Sequence, residues 1–264
     1  MLQVLFHVGG FAVHSYGVII VLSILLATGV AFYLVREDQE LNRHLLDLIM
    51  VTAIAGLIGA RLWDVLFFDW GYYGRHLWAI PFVWQGGMAI QGGLVFGAAA
   101  AWWYGRKNGL GFWRVADALA PAIVLGQGFG RVACLLNGDA FGRPTGSLFG
   151  LVYPPGTVAY ATYGSSPLWP AEVFEGQWDF VVFALLLMLG RRKLAEGNRF
   201  LWYAILYSTG RFFLEFLRGD TAPSLFGLRS AQVTSLAVTI LALGLIGWRS
   251  LRGSRTAEEN HSAT

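Results

Sequence analysis

The sequence predicts an all-α integral membrane protein with about seven transmembrane helices and a small extracytoplasmic cap. Of its 264 residues, 56% are hydrophobic and only 13% are charged, and the mean hydropathy is +0.54. A single soluble domain of this length is less apolar. A bilayer-spanning helix needs about 20 apolar residues, and runs close to that length occur at 17–36, 45–68, 87–105, 115–136, 174–190, 199–217 and 230–248.

The individual runs have features that support their assignment as spans. The residues before the first run lack a basic region and a cleavage site, so we expect this run to be retained as the insertion signal. The third and fourth runs are rich in Gly and Ala, which let helices approach closely. Aromatic residues typical of membrane interfaces gather near the ends of several runs: Trp102, Trp103, Tyr104, Trp113 and Trp248.

The distribution of Lys and Arg predicts the orientation. Twelve of the 19 basic residues lie in the connections after the first, third, fifth and seventh runs, and four lie on the opposite side. In membrane proteins the cytoplasmic connections carry the excess of Lys and Arg. The N-terminus is therefore predicted to be outside and the C-terminus cytoplasmic. This topology also accounts for the net charge of +3 without nucleic-acid binding.

We expect one membrane domain, residues 1–250, followed by a polar cytoplasmic tail at 251–264 that is predicted to be disordered. Within the domain, the longest connection, 137–170, is rich in Gly, Pro, Tyr and Ser and is predicted to form an ordered external cap. The single cysteine, Cys134, excludes an intramolecular disulfide and a cysteine-based zinc site. The sequence has neither a nucleotide-binding glycine motif nor a metal-ligand cluster, so no cofactor and no metal are predicted.

Three arginines lie inside apolar runs, where a charge costs at least about 2.5–3.5 kcal/mol and indicates a partner or a function. Arg61 has Asp64 three residues later, a spacing that favours either a structural ion pair or a ligand contact. Arg211 has Glu215 four residues later, and such a pair can orient the guanidinium toward a phosphate. Arg131 has no acidic residue at helical spacing and follows a glycine-rich segment, so we expect it to bind an anionic ligand.

Gln91 is flanked by two glycine pairs, in the segment GGMAIQGGL at 86–94. This arrangement predicts either close helix packing with a satisfied amide or a polar group presented to a lipid headgroup. Tyr16, at the start of the first span, is either an interfacial residue or a catalytic one. The residues alone therefore predict a site for an anionic headgroup in the outer half of the membrane, and they do not specify a reaction.

Residues 130–143 read GRVACLLNGDAFGR, a segment that resembles the signature GRxGNFxNGExxGR of the bacterial prolipoprotein diacylglyceryl transferase family. Further segments resemble other motifs of that family, in the family's order, at 16–17, 59–62, 86–94, 170–175, 211–215 and 231–235. The matches extend along nearly the whole chain, which makes the resemblance specific.

The resemblance implies transfer of the diacylglyceryl group of phosphatidylglycerol to the thiol of the lipobox cysteine, in the signal-peptide region of a preprolipoprotein. A thioether forms and glycerol 1-phosphate is released, at the outer leaflet of the bacterial cytoplasmic (inner) membrane. The implied catalytic residues are Arg131, Arg211, Tyr16, Gln91 and Asp139. The implied substrate-binding residues are Arg131 and Arg211 together with Glu215, Asn137, Gly138, Gly142, Arg143, Gly92, Gly93 and Arg61.

Three residues depart from the family motifs: Gln91 replaces a histidine, Cys134 an asparagine and Asp139 a glutamate. Because Gln cannot act as a general base, the thiol proton needs another acceptor, such as Tyr16, Asp139 or a headgroup oxygen. One alternative is a divergent or inactive relative that binds phospholipid or transfers to another acceptor. A membrane transporter is a further alternative, although the chain shows no inverted repeat.

Overall fold

The computed structural model describes residues 1–9, 11–83, 86–192, 194–225 and 227–262. The helices are α1 (Ser15–Leu34), α2 (Gln39–Trp63), α3 (Trp70–Tyr73), α4 (Ile90–Lys107), α5 (Phe112–Asn137), α6 (Val158–Tyr163), α7 (Ala171–Gly190), α8 (Asn198–Leu214) and α9 (Ser230–Ser262). Two antiparallel pairs of strands are β1 (Val4–Val8) with β2 (Phe11–His14), and β3 (Pro223–Leu225) with β4 (Leu228–Arg229). The chain divides into two compact units, Met1–Ala31 with Ala116–Thr264, and Phe32–Val115.

Five helical segments in the described chain are long and apolar enough to cross a membrane: Ser15–Leu34, Gln39–Phe68, Phe112–Asn137, Ala171–Gly190 and Ser230–Leu251. They coincide with five of the seven predicted runs, so the prediction of an all-helical membrane protein is confirmed. The other two runs contain α4 and α8. Of these, α8 has 17 residues, and α4 ends in Arg106 and Lys107, which make it less apolar.

In the unit Phe32–Val115, α2 and α4 pack closely because glycines lie at their contact. A Cβ added to Gly92 would lie 2.1 Å from the carbonyl oxygen of Gly59, and one added to Gly59 would lie 2.3 Å from Cβ of Phe96. Neither position accepts a side chain without displacement of the neighbouring helix. The helix α2 begins at a capping residue, Asp38, whose carboxylate accepts a 3.0 Å hydrogen bond from the Leu41 amide.

In the other unit, a hydrophobic core lies between α5, α7 and α8. Four aliphatic residues are fully buried there: Ala120, Val124, Val182 and Leu186. At one end of this core the Asp117 carboxylate of α5 accepts hydrogen bonds from the backbone amides of Gly197, at 2.6 Å, and Phe200, at 2.7 Å. These bonds satisfy amides at the start of α8 that the helix itself leaves free. The hydrophobic core and the hydrogen bonds of Asp117 together hold α5, α7 and α8 as one scaffold.

Residues 137–170 fold around a small core of their own. It consists of Phe141, Tyr153, Ala159 and Leu168, with Leu151 and Tyr163 packed against it. The Leu168 backbone pairs with both Pro144 and Leu151. Thr157 caps the short helix α6, because its hydroxyl accepts a hydrogen bond from the Tyr160 amide. This segment is called the cap below.

The last helix, α9, continues to Ser262. Disorder of the tail 251–264 stays a prediction. The sequence over 255–260, RTAEEN, contains Arg, Ala and Glu, which have high helix propensity and extend a helix that has already formed. Residues 263 and 264 lie outside the described residues.

Candidate functional site

Three arginine side chains converge on one buried carboxylate, that of Glu175 on α7, which is 3% exposed. Its Oε2 lies 2.9 Å from a guanidinium nitrogen of Arg131 on α5 and 3.3 Å from one of Arg218. Its Oε1 accepts a hydrogen bond from Arg211 on α8. This arginine cluster corrects the expectation that Arg131 is unpaired, because the partner comes from a distant part of the chain.

Two further carboxylates complete the arginine cluster. Glu215 is fully buried and lies 2.9 Å from Arg211, which confirms the predicted i,i+4 pair. Asp220 accepts hydrogen bonds from Arg218 at 2.7 and 2.5 Å. Burial lowers the pKa of the Arg218 guanidinium, but these bonds and the charge of Glu175 outweigh it, so the pKa lies above its ordinary value. Arg218 therefore stays charged.

Backbone hydrogen bonds from the cap fix the position of Arg218. The amide of Arg143 donates to the Leu217 carbonyl at 2.8 Å, and the amide of Gly219 donates to the Phe141 carbonyl at 3.0 Å. Within the cap, the amide of Gly142 donates to the Trp169 carbonyl at 3.0 Å. A Cβ on Gly142 would lie 2.2 Å from that Trp169 oxygen, so the close approach requires glycine. Gly142 and Arg143 are two of the predicted substrate-binding residues. Both contribute backbone hydrogen bonds here, and the side chain of Arg143 is exposed.

A small cavity lies beside the arginine cluster. It is lined by Arg131, Glu175, Trp178, Asp179, Tyr207, Arg211 and Leu214. Two guanidinium groups and a tyrosine hydroxyl in one small cavity are suited to bind a phosphate. In the described part of the chain, no three His, Cys, Asp or Glu side chains come together as a metal site.

Several predicted residues meet at the end of α5. Gly138 has a φ of +76°, and its amide donates to the Cys134 carbonyl at 2.9 Å, so this glycine terminates the helix. The Asn137 side chain donates a 2.6 Å hydrogen bond to the carboxylate of Asp139. Tyr16, on α1, is 41% exposed and interacts electrostatically with both Cys134 and Asp139. The structure thus groups these polar side chains within one unit, around the C-terminal end of the helix that also carries Arg131.

A second polar contact fixes the cap to α7. The hydroxyl of Tyr153 in the cap donates a hydrogen bond to Glu172, a fully buried residue one turn before Glu175. Burial raises the pKa of Tyr153, and the bond to Glu172 raises it further, so the hydroxyl remains a donor. The cap therefore contacts the helix that carries the central carboxylate of the arginine cluster.

Arg61, in the other unit, makes structural contacts, and its contact to substrate stays a prediction. Its guanidinium is buried and donates to five backbone carbonyls: those of Ala79, Ile80, Phe82, Gly86 and Gly87, at 2.5 to 3.4 Å. The predicted ion pair with Asp64 does not form among the described residues, because the Arg61 guanidinium is directed to these carbonyls, and Oδ2 of Asp64 has no hydrogen-bond partner there. Arg61 therefore holds the segment before α4.

The glycine pair at the start of α4 contributes to helix packing. Gly92 contacts the backbone of α2. Gly93 lies on the same helix contact, where a Cβ added to it would be 3.5 Å from the carbonyl oxygen of Gly56. Gln91, in the first turn of α4, has an exposed side chain. Of the two readings of this segment, close packing is confirmed for Gly92, and a role of Gln91 toward a headgroup stays a prediction.

Sequence reasoning missed four residues at the site: Glu175, Asp179, Tyr207 and Arg218. Glu175 is the last residue of the segment PAEVFE that contributed to the family resemblance, so a signal for it was present. Helical spacing does not reveal the contacts of Glu175, because Arg131 and Arg211 come from other helices. Arg218 follows the apolar run that ends at residue 217, so it was not counted among the arginines inside the runs.

The chain is similar to known proteins over nearly its whole length. A profile of the family described as prolipoprotein diacylglyceryl transferase matches residues 3–248. A protein of Geobacillus kaustophilus is 37% identical over 259 residues, which cover 95% of this chain and 93% of the relative. Proteins of Bacillus licheniformis and Nostoc sp. are 36% and 35% identical, covering 94% of this chain and 92% and 89% of their own lengths. All three relatives are named phosphatidylglycerol–prolipoprotein diacylglyceryl transferase.

Proposed function

This chain belongs to the prolipoprotein diacylglyceryl transferase family, and from that premise we propose that it transfers diacylglyceryl from phosphatidylglycerol to a prolipoprotein. The acceptor is the thiol of the lipobox cysteine in the signal-peptide region of the substrate. A carbon–sulfur bond forms at the glycerol carbon that bears the phosphate. The bond from that carbon to the phosphate oxygen breaks, its electron pair stays on oxygen, and glycerol 1-phosphate leaves.

The single observation that carries this proposal is the cavity walled by Arg131 and Arg211. Cleavage of the carbon–oxygen bond adds negative charge to the leaving phosphate, and preorganised donors in a dry cavity stabilise such charge far better than water does. Both guanidinium groups are held in advance by Glu175, and Arg211 is also held by Glu215. They therefore need no reorganisation when the charge develops.

Each of the other predicted residues has a place in this proposal. Tyr16, Asn137 and Asp139 offer polar contacts to the entering peptide or headgroup, and Gly138 and Gly142 shape the backbone around them. Arg143 adds a positive charge at the exposed rim of the cap. In the other unit, Gln91 presents an exposed amide, and Gly92, Gly93 and Arg61 support the helix that carries it.

The proposed setting is the bacterial cytoplasmic membrane, with seven spans, the N-terminus outside and the C-terminus in the cytoplasm. The excess of Lys and Arg in alternate connections supports this orientation. It places the cap and the ends of α5 and α8 that bear Arg131 and Arg211 toward the extracytoplasmic face. There the enzyme meets phosphatidylglycerol of the outer leaflet and the signal-peptide region of its protein substrate.

The proposal is tested with purified protein in detergent, incubated with phosphatidylglycerol and a synthetic lipobox peptide. Release of glycerol phosphate and the mass of the peptide are followed for the wild type, for Arg131→Ala and for Arg36→Ala. Arg36 is an exposed residue whose partner, Glu37, is also exposed, so it is a matched control for loss of an arginine. We expect the wild type and Arg36→Ala to release glycerol phosphate and add one diacylglyceryl mass to the peptide, and Arg131→Ala to lose both.

Absence of turnover by a folded wild type that still binds phosphatidylglycerol would contradict the proposal. That result would favour the lipid-binding relative, which the exchange of the family's histidine for Gln91 supports. Loss of activity in Arg36→Ala as well as in Arg131→Ala would remove the assignment of the cavity as the site.

A further inference from the structure

Asp179 lies on α7, one helical turn after Glu175, and lines the same cavity as Arg131 and Arg211. It is 2% exposed, and its Oδ2 is buried without a hydrogen-bond partner. It takes part in none of the ion pairs found among the described residues. A buried carboxylate oxygen without a donor is costly, so its place beside the phosphate-binding arginines indicates a function.

We propose that Asp179 is the catalytic residue that accepts the proton of the lipobox thiol, an inference that rests on the proposed function. The thiol proton moves to Oδ2 of Asp179 as the sulfur attacks the glycerol carbon. The carbon–sulfur bond forms, the carbon–oxygen bond breaks, and the electron pair goes to the phosphate oxygen. Asp179 then passes the proton to the departing glycerol phosphate and returns to its starting state, so no further reactant is needed.

Three other carboxylates near the cavity have partners, and Glu172, whose Oε2 has none among the described residues, does not line the cavity. Both oxygens of Glu175 face arginines, and those of Glu215 are engaged by Arg211 and by a threonine hydroxyl. Asp139 accepts a hydrogen bond from an asparagine at 2.6 Å. Asp179 is the carboxylate that combines an open oxygen with a position on the cavity wall.

The charge around Asp179 supports the same role. The charged and titratable groups that face it are Arg131 on α5, Glu175 on α7, and Tyr203, Tyr207 and Arg211 on α8. With both arginines and Glu175 charged, an ionised Asp179 makes the cavity neutral. When Asp179 takes the proton, the cavity gains one net positive charge at the moment when the phosphate gains a negative one. Proton transfer and stabilisation of the leaving group are thereby coupled.

The test uses the full-length protein in detergent with phosphatidylglycerol and two lipobox peptides, one with cysteine and one with selenocysteine. Asp179→Asn removes the acceptor, Asp179→Glu retains a carboxylate, and Asp47→Asn is a matched control at an exposed carboxylate of α2. With the cysteine peptide near neutral pH, we expect Asp179→Asn to be slower by about 10²–10⁴-fold. Asp179→Glu should retain more activity, and Asp47→Asn should match the wild type.

Two rescues separate a proton acceptor from a residue that only positions its neighbours. Above the ordinary thiol pKa of about 8.5 the peptide arrives as a thiolate, so the rate of Asp179→Asn should rise toward that of the wild type. A selenol ionises at lower pH than a thiol, so the selenocysteine peptide should restore Asp179→Asn at neutral pH. Asp179→Asn should still bind phosphatidylglycerol, at least as tightly as the wild type, because the change removes a negative charge from the cavity.

The outcomes are distinct. A wild type that does not turn over either peptide removes the proposed function and this inference with it. An active wild type with an equally active Asp179→Asn and the same pH profile overturns the inference alone. A slow Asp179→Asn that neither alkaline pH nor selenocysteine restores also overturns it, because the residue then acts through structure. If Asp179→Asn does not fold, Asp179→Glu decides the question. A folded Asp179→Glu with the wild-type pH profile supports the inference, and a folded Asp179→Glu that is inactive with both peptides overturns it.

Discussion

Replacement of Glu175 by Gln tests how much the arginine cluster contributes to stability. Glu175 is 3% exposed, and two of its three arginine partners, Arg211 and Arg218, each keep a second carboxylate after the change. Arg131 has no other ion-pair partner in the described chain. Of the three guanidinium groups, Glu175→Gln therefore leaves only that of Arg131 without a carboxylate. Removal of one partner of a buried pair costs about 3–5 kcal/mol. At about 2–4 °C per kcal/mol, the Tm should fall by about 6–20 °C.

The assay is thermal unfolding in detergent, followed by tryptophan fluorescence, for the wild type, Glu175→Gln, and Glu175→Gln combined with Arg131→Met. Because the second change removes the unpaired charge, the double variant should be more stable than Glu175→Gln alone. The control is Glu37→Gln, which breaks an exposed pair with Arg36 and should change the Tm by less than about 2 °C. The reasoning would be refuted if Glu175→Gln changed the Tm no more than the control Glu37→Gln does. It would also be refuted if the double variant were less stable than Glu175→Gln alone.

Three further predictions concern the unit Phe32–Val115. Gly92→Ala places a methyl group against the Gly59 carbonyl and should lower the free energy of unfolding by about 1–3 kcal/mol, measured by thermal unfolding. Arg61→Met leaves five backbone carbonyls without their donor, so it should destabilise the protein by about 3 kcal/mol or more and expose residues 77–87 to protease cleavage. Arg114 lowers the pKa of Asp38 below its ordinary value of 3.8, so the pair stabilises the folded state above about pH 4 and loses that contribution as pH falls through the lowered pKa. Unfolding scans between pH 3 and 6 should therefore depend less on pH in Asp38→Asn than in the wild type.

Each of these three has its own comparison. Gly244→Ala adds the same methyl group where no atom lies within 4 Å, and it should be neutral or stabilising. For Arg61→Met, unchanged protease resistance over 77–87 would show that the carbonyls find other donors. For Asp38→Asn, a curve parallel to that of the wild type across the acidic range would show that the ion pair with Arg114 contributes nothing to the pH dependence.

The sequence allowed prediction of those features that depend on neighbours along the chain. The apolar runs predicted five helices that are long enough to span a membrane, and the i,i+4 spacing predicted the pair of Arg211 with Glu215. Helical spacing did not predict the contacts of Arg61, because its guanidinium donates to backbone carbonyls of a segment 18 to 26 residues later and not to Asp64.

The centre of the site could not be predicted in this way. Whether Arg131 faces lipid, ligand or carboxylate depends on which helix packs beside α5, and a single sequence contains no measure of that. The cap is a related case. Its composition predicted an ordered connection, but the backbone contacts through Gly142 that fix Arg218 became apparent only in three dimensions. The motif resemblance identified most residues of this region, and the structure added the carboxylates of Glu175 and Asp179.

The single carboxylate at the centre of three arginines has a consequence for how lipid enters. A guanidinium group in water must shed its hydration before it can bind a phosphate, and that cost normally falls on the binding step. Here Arg131, Arg211 and Arg218 are already paired with Glu175, which occupies the place of an internal anion. Most of the dehydration therefore occurs during folding, and an arriving headgroup binds to guanidinium groups that stay on Glu175. When the phosphate leaves, the arginines are still paired with the carboxylate, which makes the empty site ready for the next lipid.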